Sequence, residues 1–281
     1  MDNLTKKQIA DALQIYCEHK GSQNKAANSL KGVSAATVSH VLNGEWGLIK
    51  AEMWRSIAAQ IGVKKDAWQA VETRDYMLLT ALMTDSQTNA LVLAITGEAG
   101  TGKTYAVRQY VGSHREAYVL SCADYWNKRM FLTELLATMG RDASGYSIAE
   151  MMGEVVRCLK TAENPLIILD EADKLSDYVL YFFITLYNQL EDHCGIVLLS
   201  TDHLAKRIHR GRKLNKKGYK EIFSRIGRKF IELKGLGAAD ITAVCRANGV
   251  DDAGLIKSVI DDCEGDMRRV KRKIHALKNM N

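Results

Sequence analysis

The sequence predicts an α/β protein: a five-stranded parallel sheet sandwiched by helices, a small helical lid after it, and an all-α domain before it. Three observations carry this. Five short apolar runs (91–96, 118–121, 166–169, 196–200 and 230–233) alternate with helical stretches at 102–112, 128–139, 148–159 and 176–190. Such uninterrupted apolar runs suit strands buried on both faces. The first run leads directly into a glycine-rich loop and a helix, and the patterns before 65 and after 235 are helical only. The expected organisation is therefore 1–65 as the N-terminal domain, 66–88 as a polar helical connector, 89–234 as the sheet domain and 235–281 as the lid.

In the N-terminal part, helices are expected at 6–20, 23–30 and 34–42, with Ser22 and Ser34 as N-caps and glycines at the helix ends. Ala26, Ala27, Leu30, Val33, Val38, Val41 and Leu42 are spaced to pack together, which leaves Ala36, Thr37, Ser39, His40 and Asn43 toward solvent. The segment SQNKAANSLKGVSAATVSHVLNG resembles a helix-turn-helix of the lambda-repressor type. That resemblance implies that Thr37 and His40 face a DNA groove, with Lys25 and Lys31 near phosphates. A three-helix bundle that only contacts protein is the alternative reading. Trp46, Trp54 and Trp68 are expected to pack this bundle and its joint.

The loop Gly97-Glu98-Ala99-Gly100-Thr101-Gly102-Lys103-Thr104 satisfies GxxxxGK[ST] in full, between a strand and a helix. Glycines there let backbone N–H groups curl around phosphates at a helix N-terminus, where the helix dipole favours anions. Lys103 is placed to reach the β- and γ-phosphates of ATP, and Thr104 to ligate Mg²⁺. Glu98 is expected to be exposed and replaceable. Sixty-seven residues after Lys103, the run LIIL delivers Asp170 and Glu171 at the C-terminal end of a strand, where ligands bind in open α/β sheets. Asp170 suits the metal shell, and Glu171 suits polarisation of the attacking water.

The order of these motifs resembles an AAA+ ATPase from about Ala90 onward. That resemblance implies further site residues. In IVLLSTDH the γ-phosphate sensor falls on Thr201, beside Ser200. In FSRI, Arg225 falls on the finger that reaches a neighbouring subunit. In GDMR, Arg268 falls on the second sensor, contacting phosphates from the lid. ATP and Mg²⁺ are thus the expected cofactors, with hydrolysis to ADP and phosphate.

Charge is concentrated. The net charge is +6, yet 206–229 holds eleven Lys or Arg against one acid, Glu221. Such a cluster repels itself unless a polyanion neutralises it. Lys213, Lys216, Lys217 and Lys220 lead the expected DNA contacts, followed by Lys206, Arg207, Arg210 and Arg212, on a loop that ATP orders. The six cysteines form no CxxC pair, and no eighteen-residue apolar run or signal-type apolar core occurs. These features point to a cytoplasmic protein without a membrane span.

A helix-turn-helix joined to an AAA+ module resembles the bacteriophage Mu transposition protein B family. KAANSLKGVSAATVSHVLNG, GEAGTGKT, LIILDEADKL, GIVLLSTDH and EIFSRIGRKF look like that family's segments in the same order. The resemblance implies ATP-dependent, sequence-indifferent binding of double-stranded DNA, self-assembly into helical filaments, and stimulation of a transposase. A helicase loader and an ATP-switched transcription regulator are the rival readings.

Overall fold

The computed structural model describes residues 3–62 and 68–279. The chain divides into two compact units, 1–69 and 70–281. The boundary expected at 65–66 lies outside the described residues.

The first unit is helical: α1 (Asn3–Lys20), α2 (Gln23–Ser29), α3 (Ala35–Leu42) and α4 (Ala51–Gln60). Ser22 Oγ accepts from the Lys25 N–H, and Ser34 Oγ from the Thr37 N–H, so both expected N-caps form. The core gathers Leu13, Ala26, Ala27, Val38, Val41, Trp54 and Ile57. Trp46 meets Trp54 edge-on at 5.9 Å and donates Nε1–H to the Val41 carbonyl at 2.9 Å.

The second unit is built on β1 (Val92–Thr96), β2 (Ala117–Ser121), β3 (Leu166–Asp170), β4 (Gly195–Ser200) and β5 (Ile231–Glu232). All pairings are parallel, in the order β2-β3-β4-β1-β5. Alternate side chains serve opposite layers. Ile167, Leu169, Ile196 and Leu198 join one core with α7 (Lys128–Thr138), α8 (Ile148–Thr161) and α9 (Asp177–Leu190). Leu166, Ile168, Val197 and Leu199 join the other, with α5 (Arg74–Asn89) and α6 (Lys103–Ser113). That double burial is why the runs LIIL and IVLL read as unbroken apolar sequence.

Two expectations are corrected. The polar connector expected at 66–88 is, from Arg74 on, a core helix: Leu79 and Met83 of α5 are buried against the sheet. Its buried Asp75 accepts from the Lys234 and Gly235 N–H groups, fixing the exit from β5. The basic loop expected at 206–229 is two helices, α10 (Asp202–Lys213) and α11 (Tyr219–Arg225). Leu204, Ile208 and Gly211 form a buried stripe on α10, whose helical period is masked by the surrounding charge.

The chain then forms α12 (Ala238–Ala247), α13 (Ala253–Cys263) and α14 (Met267–Asn279). No helix among the described residues is long and apolar enough to cross a membrane.

Candidate nucleotide site and basic face

β1 ends at Thr96, and the loop 97–102 turns the chain into α6. Gly100 and Gly102 have φ of +86° and +89°, a region that costs other residues a steric clash. Gly100 has a second constraint: a Cβ there would sit 2.1 Å from Asp266 Oδ1. The Met267 N–H donates to the Gly100 carbonyl at 3.0 Å, so the start of α14 is pinned onto the loop.

Lys103 folds its ammonium into the loop, donating to the Gly97 and Glu98 carbonyls at 2.5 and 2.9 Å. Burial pushes this ammonium below its usual pKa, against the pull of Asp170, Asp173 and Glu98. Thr104 follows on the first turn of α6 and donates Oγ1–H to Asp170 Oδ2 at 2.8 Å. Asp170 is buried at the end of β3, and burial raises its carboxyl pKa despite hydrogen bonds from Thr104 and the Glu171 N–H. A hydroxyl and a buried carboxylate form a hard-oxygen pair of the kind Mg²⁺ takes, and a cation there offsets the cost of burying Asp170.

Glu171 stands in the left-handed region at φ +57°, and its carboxylate meets Lys174 Nζ at 2.7 Å. Thr201 donates Oγ1–H to Asp173 Oδ2 at 2.8 Å. The Ser200 hydroxyl is buried with no hydrogen-bond partner among the described residues, and Ser200 lines the cleft. The cleft has a volume of about 370 Å³ and gathers residues 99–105, the carboxylates of β3 and its following turn, the end of β4, and Met267 with Arg268. Within this one cleft the structure brings together Lys103, Thr104, Asp170, Glu171, Thr201 and Arg268, which lie 165 residues apart at the extremes of the sequence. Glu98 is exposed beside it, and Gly97 packs against Leu233.

Arg225 does not line this cleft. Its Nη2–H donates to Asn188 Oδ1 at 3.2 Å, and its guanidinium lies 5.0 Å from the centre of the Tyr187 ring, both on α9. Sequence reading passed over Asp173, Lys174 and Asp266. The first two follow Asp170 by three and four residues, and that spacing was the available signal.

A second concavity of about 470 Å³ lies on α10–α11, lined by His209, Arg212, Lys213, Lys220, Phe223 and Arg228, with Ser224. Arg212 stacks on Phe223 at 3.5 Å, while Arg210, Lys213, Lys216, Lys217 and Lys220 are exposed. His209 and Arg228 were not among the expected contacts. Two expected ones are otherwise engaged. Lys206 pairs with Asp202 one turn earlier. Arg207 is a correction: it turns inward, donating Nη1–H to the Asp173 and Leu175 carbonyls at 3.2 and 2.8 Å. In the first unit, the Thr37 and Ser34 hydroxyls are hydrogen-bonded at 2.9 Å, and His40 Nδ1 pairs with Glu45.

The AAA domain family model matches residues 84–208. The DNA transposition protein B of the Mu-like prophage FluMu in Haemophilus influenzae is 24% identical over 264 residues, 88% of each chain. The ATP-dependent target DNA activator B of Escherichia phage D108 is 22% identical over 264 residues, 89% of this chain and 82% of that one. Among solved structures, Cdc6p from Pyrobaculum aerophilum superposes with a TM-score of 0.53 at 17% identity, over 77% of this chain and 65% of that chain, which shows a shared fold alone. The chain thus matches the AAA domain family over 84–208 and is similar over most of its length to phage Mu-type transposition protein B.

Proposed function

We propose that this chain is a Mg²⁺-dependent ATPase that holds double-stranded DNA through the basic face of α10–α11 and acts in transposition by presenting that DNA to a transposase. The convergence of Lys103, Thr104, Asp170, Glu171, Thr201 and Arg268 in one cleft is the observation that carries this reading. When bound, Mg²⁺ supplies charge neutralisation at the β- and γ-phosphates. Thr104 and Asp170 hold that ion, and the backbone of 97–102 with Lys103 seats the phosphates. Glu171 orients the attacking water and accepts its proton, leaving the Lys174 pairing to do so. Thr201 and Arg268 report the γ-phosphate from β4 and from the lid, and Arg225 supplies positive charge to the cleft of a neighbouring copy.

In this reading the chain has four parts: a DNA-contacting helix-turn-helix at 1–65 presenting Thr37 and His40, a joint at 66–88, an ATPase core at 89–234 and a lid at 235–281. Copies stack as a helical filament, so that weak contacts repeat along one duplex. The similarity to the transposition protein B of FluMu and to the target DNA activator B of phage D108 supports the role in transposition.

The test is ATP turnover and gel-shift binding to random duplex, with and without ATP. The reading expects ATP to strengthen binding to random duplex, and expects Lys103→Ala to lose both nucleotide and ATP-dependent DNA binding. Tight binding only to a selected operator, unaffected by Lys103→Ala, would overturn it in favour of a transcription regulator.

A further inference from the structure

Arg207 is the odd member of the basic helix. Its neighbours Arg210 and Lys213 are exposed, whereas its own side chain is only 28% exposed and points toward the turn after β3. That turn carries Glu171 in its left-handed conformation and Asp173 beside the cleft. One Arg207 nitrogen, Nη1, holds the carbonyls of Asp173 and Leu175 together. At the start of the same helix, Thr201 holds the Asp173 carboxylate. α10 therefore grips Asp173 by main chain and side chain at once.

The grip extends to α11. Asp177, the first residue of α9, lies 3.8 Å from Arg207 Nε and accepts the Tyr219 hydroxyl at 2.5 Å. The Tyr219 ring lies so close to α10 that a Cβ on Gly211 would fall 2.4 Å from its Cγ. The two basic helices are thus interlocked, and a force on their exposed lysines reaches the turn through few contacts. Arg207 Nε and Nη2 are buried with no hydrogen-bond partner among the described residues. Nε has the Asp177 carboxylate beside it, so the unused donors for a second arrangement of the turn are those of Nη2.

We propose that Arg207 is a positioning residue that couples DNA on the α10–α11 face to the placement of Glu171 and Asp173 at the nucleotide cleft. This rests on the ATPase and DNA-binding reading above. It assigns to Arg207 a role opposite to that of its neighbours: it touches neither phosphate backbone nor nucleotide, and it acts on the rate of the chemical step.

The experiment compares the full-length protein with Arg207→Met, Arg207→Lys and Tyr219→Phe. Steady-state ATP hydrolysis is measured with and without random duplex, and DNA affinity is measured at several salt concentrations. Arg207→Met is expected to lower the DNA-stimulated kcat by about tenfold, the scale on which outer-shell partners act, with KM for ATP unchanged. DNA affinity and its salt slope should match the wild type, and Arg207→Lys should restore part of the stimulation. Tyr219→Phe keeps the ring against Gly211 but removes the hydroxyl that ties α11 to Asp177, and should weaken stimulation in the same direction. That gives a second measure if Arg207→Met does not fold. Full stimulation in Arg207→Met, or in Tyr219→Phe where the first variant does not fold, overturns the coupling. A flattened salt slope with intact stimulation overturns it in favour of a direct phosphate contact. A wild-type protein with no DNA-stimulated turnover instead refutes the underlying reading.

Discussion

The Thr104 hydroxyl donates to Asp170 Oδ2 at 2.8 Å, joining the first turn of α6 to the end of β3 across 66 residues of sequence. This bond sets two hard oxygens side by side, but it leaves a buried carboxylate whose pKa burial raises. A raised acid stabilises the fold most below its ordinary pKa, about 3.9, and loses that contribution as pH rises through the folded value. Above that folded value the ionised Asp170 is therefore a cost, which a bound cation offsets.

Asp170→Asn should accordingly raise the melting temperature of the protein alone at pH 7 while removing the additional rise given by Mg²⁺ with ATP. Thermal melts with ATP, with and without Mg²⁺, check both halves. The Mg²⁺-dependent rise in the wild type should fade on acidification at a higher pH than an ordinary aspartate would allow. If Asp170→Asn retains the full Mg²⁺-dependent rise, Asp170 does not hold the ion.

Lys103 and Glu171 should fail differently, because the proposed function gives one to phosphate and the other to water. Lys103→Ala should lose nucleotide binding. Glu171→Gln should keep ATP, turn over more slowly by on the order of a hundredfold, and stay longer on DNA. Filter-binding lifetimes and phosphate release measure the two effects. Equal turnover by Glu171→Gln and wild type removes Glu171 from the reaction.

Gly100 faces two constraints at once, a φ of +86° and the Asp266 carboxylate beneath it. Gly100→Ala should destabilise the second unit by about 1–3 kcal/mol, the usual cost of a side chain forced into a sparsely populated backbone region. It should also push α14 and Arg268 off the loop. ATP affinity should therefore fall by more than the loss of stability alone produces. Gly100→Ala paired with Asp266→Gly should recover part of that affinity, as titration with a fluorescent nucleotide would show.

The sheet was legible because its central strands are apolar on both faces, and the loop because 97–104 is contiguous in sequence. Burial along α10 was not legible: Leu204, Ile208 and Gly211 are three positions among twelve, and charge dominates any window that contains them. The inward turn of Arg207 was hidden for a related reason. Its partners are main-chain carbonyls of Asp173 and Leu175, and a backbone acceptor leaves no residue type to read. Likewise the seat of Gly100 on Asp266 joins residues 166 positions apart, and neither residue type announces the other.

Arg225 offers a test of assembly. Its guanidinium is held by Asn188 and Tyr187 and lies outside the cleft of its own chain. Arg225→Ala should keep ATP affinity and lose the part of hydrolysis that rises with protein concentration. Mixing it with Lys103→Ala should restore some turnover, because one interface then holds an intact cleft and an intact arginine. No recovery at any ratio, with normal assembly by light scattering, would place Arg225 with the DNA contacts instead.

The two regions proposed to face DNA can be ranked by charge. Residues 1–65 carry nine basic and five acidic side chains, whereas 206–229 carries eleven basic and one acidic. In the first unit, Glu45, in the turn after α3, sets its carboxylate against the His40 ring, and that negative charge repels a phosphate backbone. On α10–α11, by contrast, Lys213 and Lys220 line one concavity with Arg212 and Arg228, and Lys216 and Lys217 stand exposed beside them. Neutralised phosphates dominate sequence-indifferent affinity, and each such contact adds about 0.9 to the slope of log affinity against log salt. Changing Lys213, Lys216, Lys217 and Lys220 together to Ala should therefore weaken ATP-dependent binding to random duplex and flatten its salt slope by up to about four contacts' worth, with ATP affinity kept. Removing residues 1–69, a unit with its own core, should leave most of that binding in place. Loss of binding on truncation, together with normal binding by the quadruple variant, would reverse the order of the two sites.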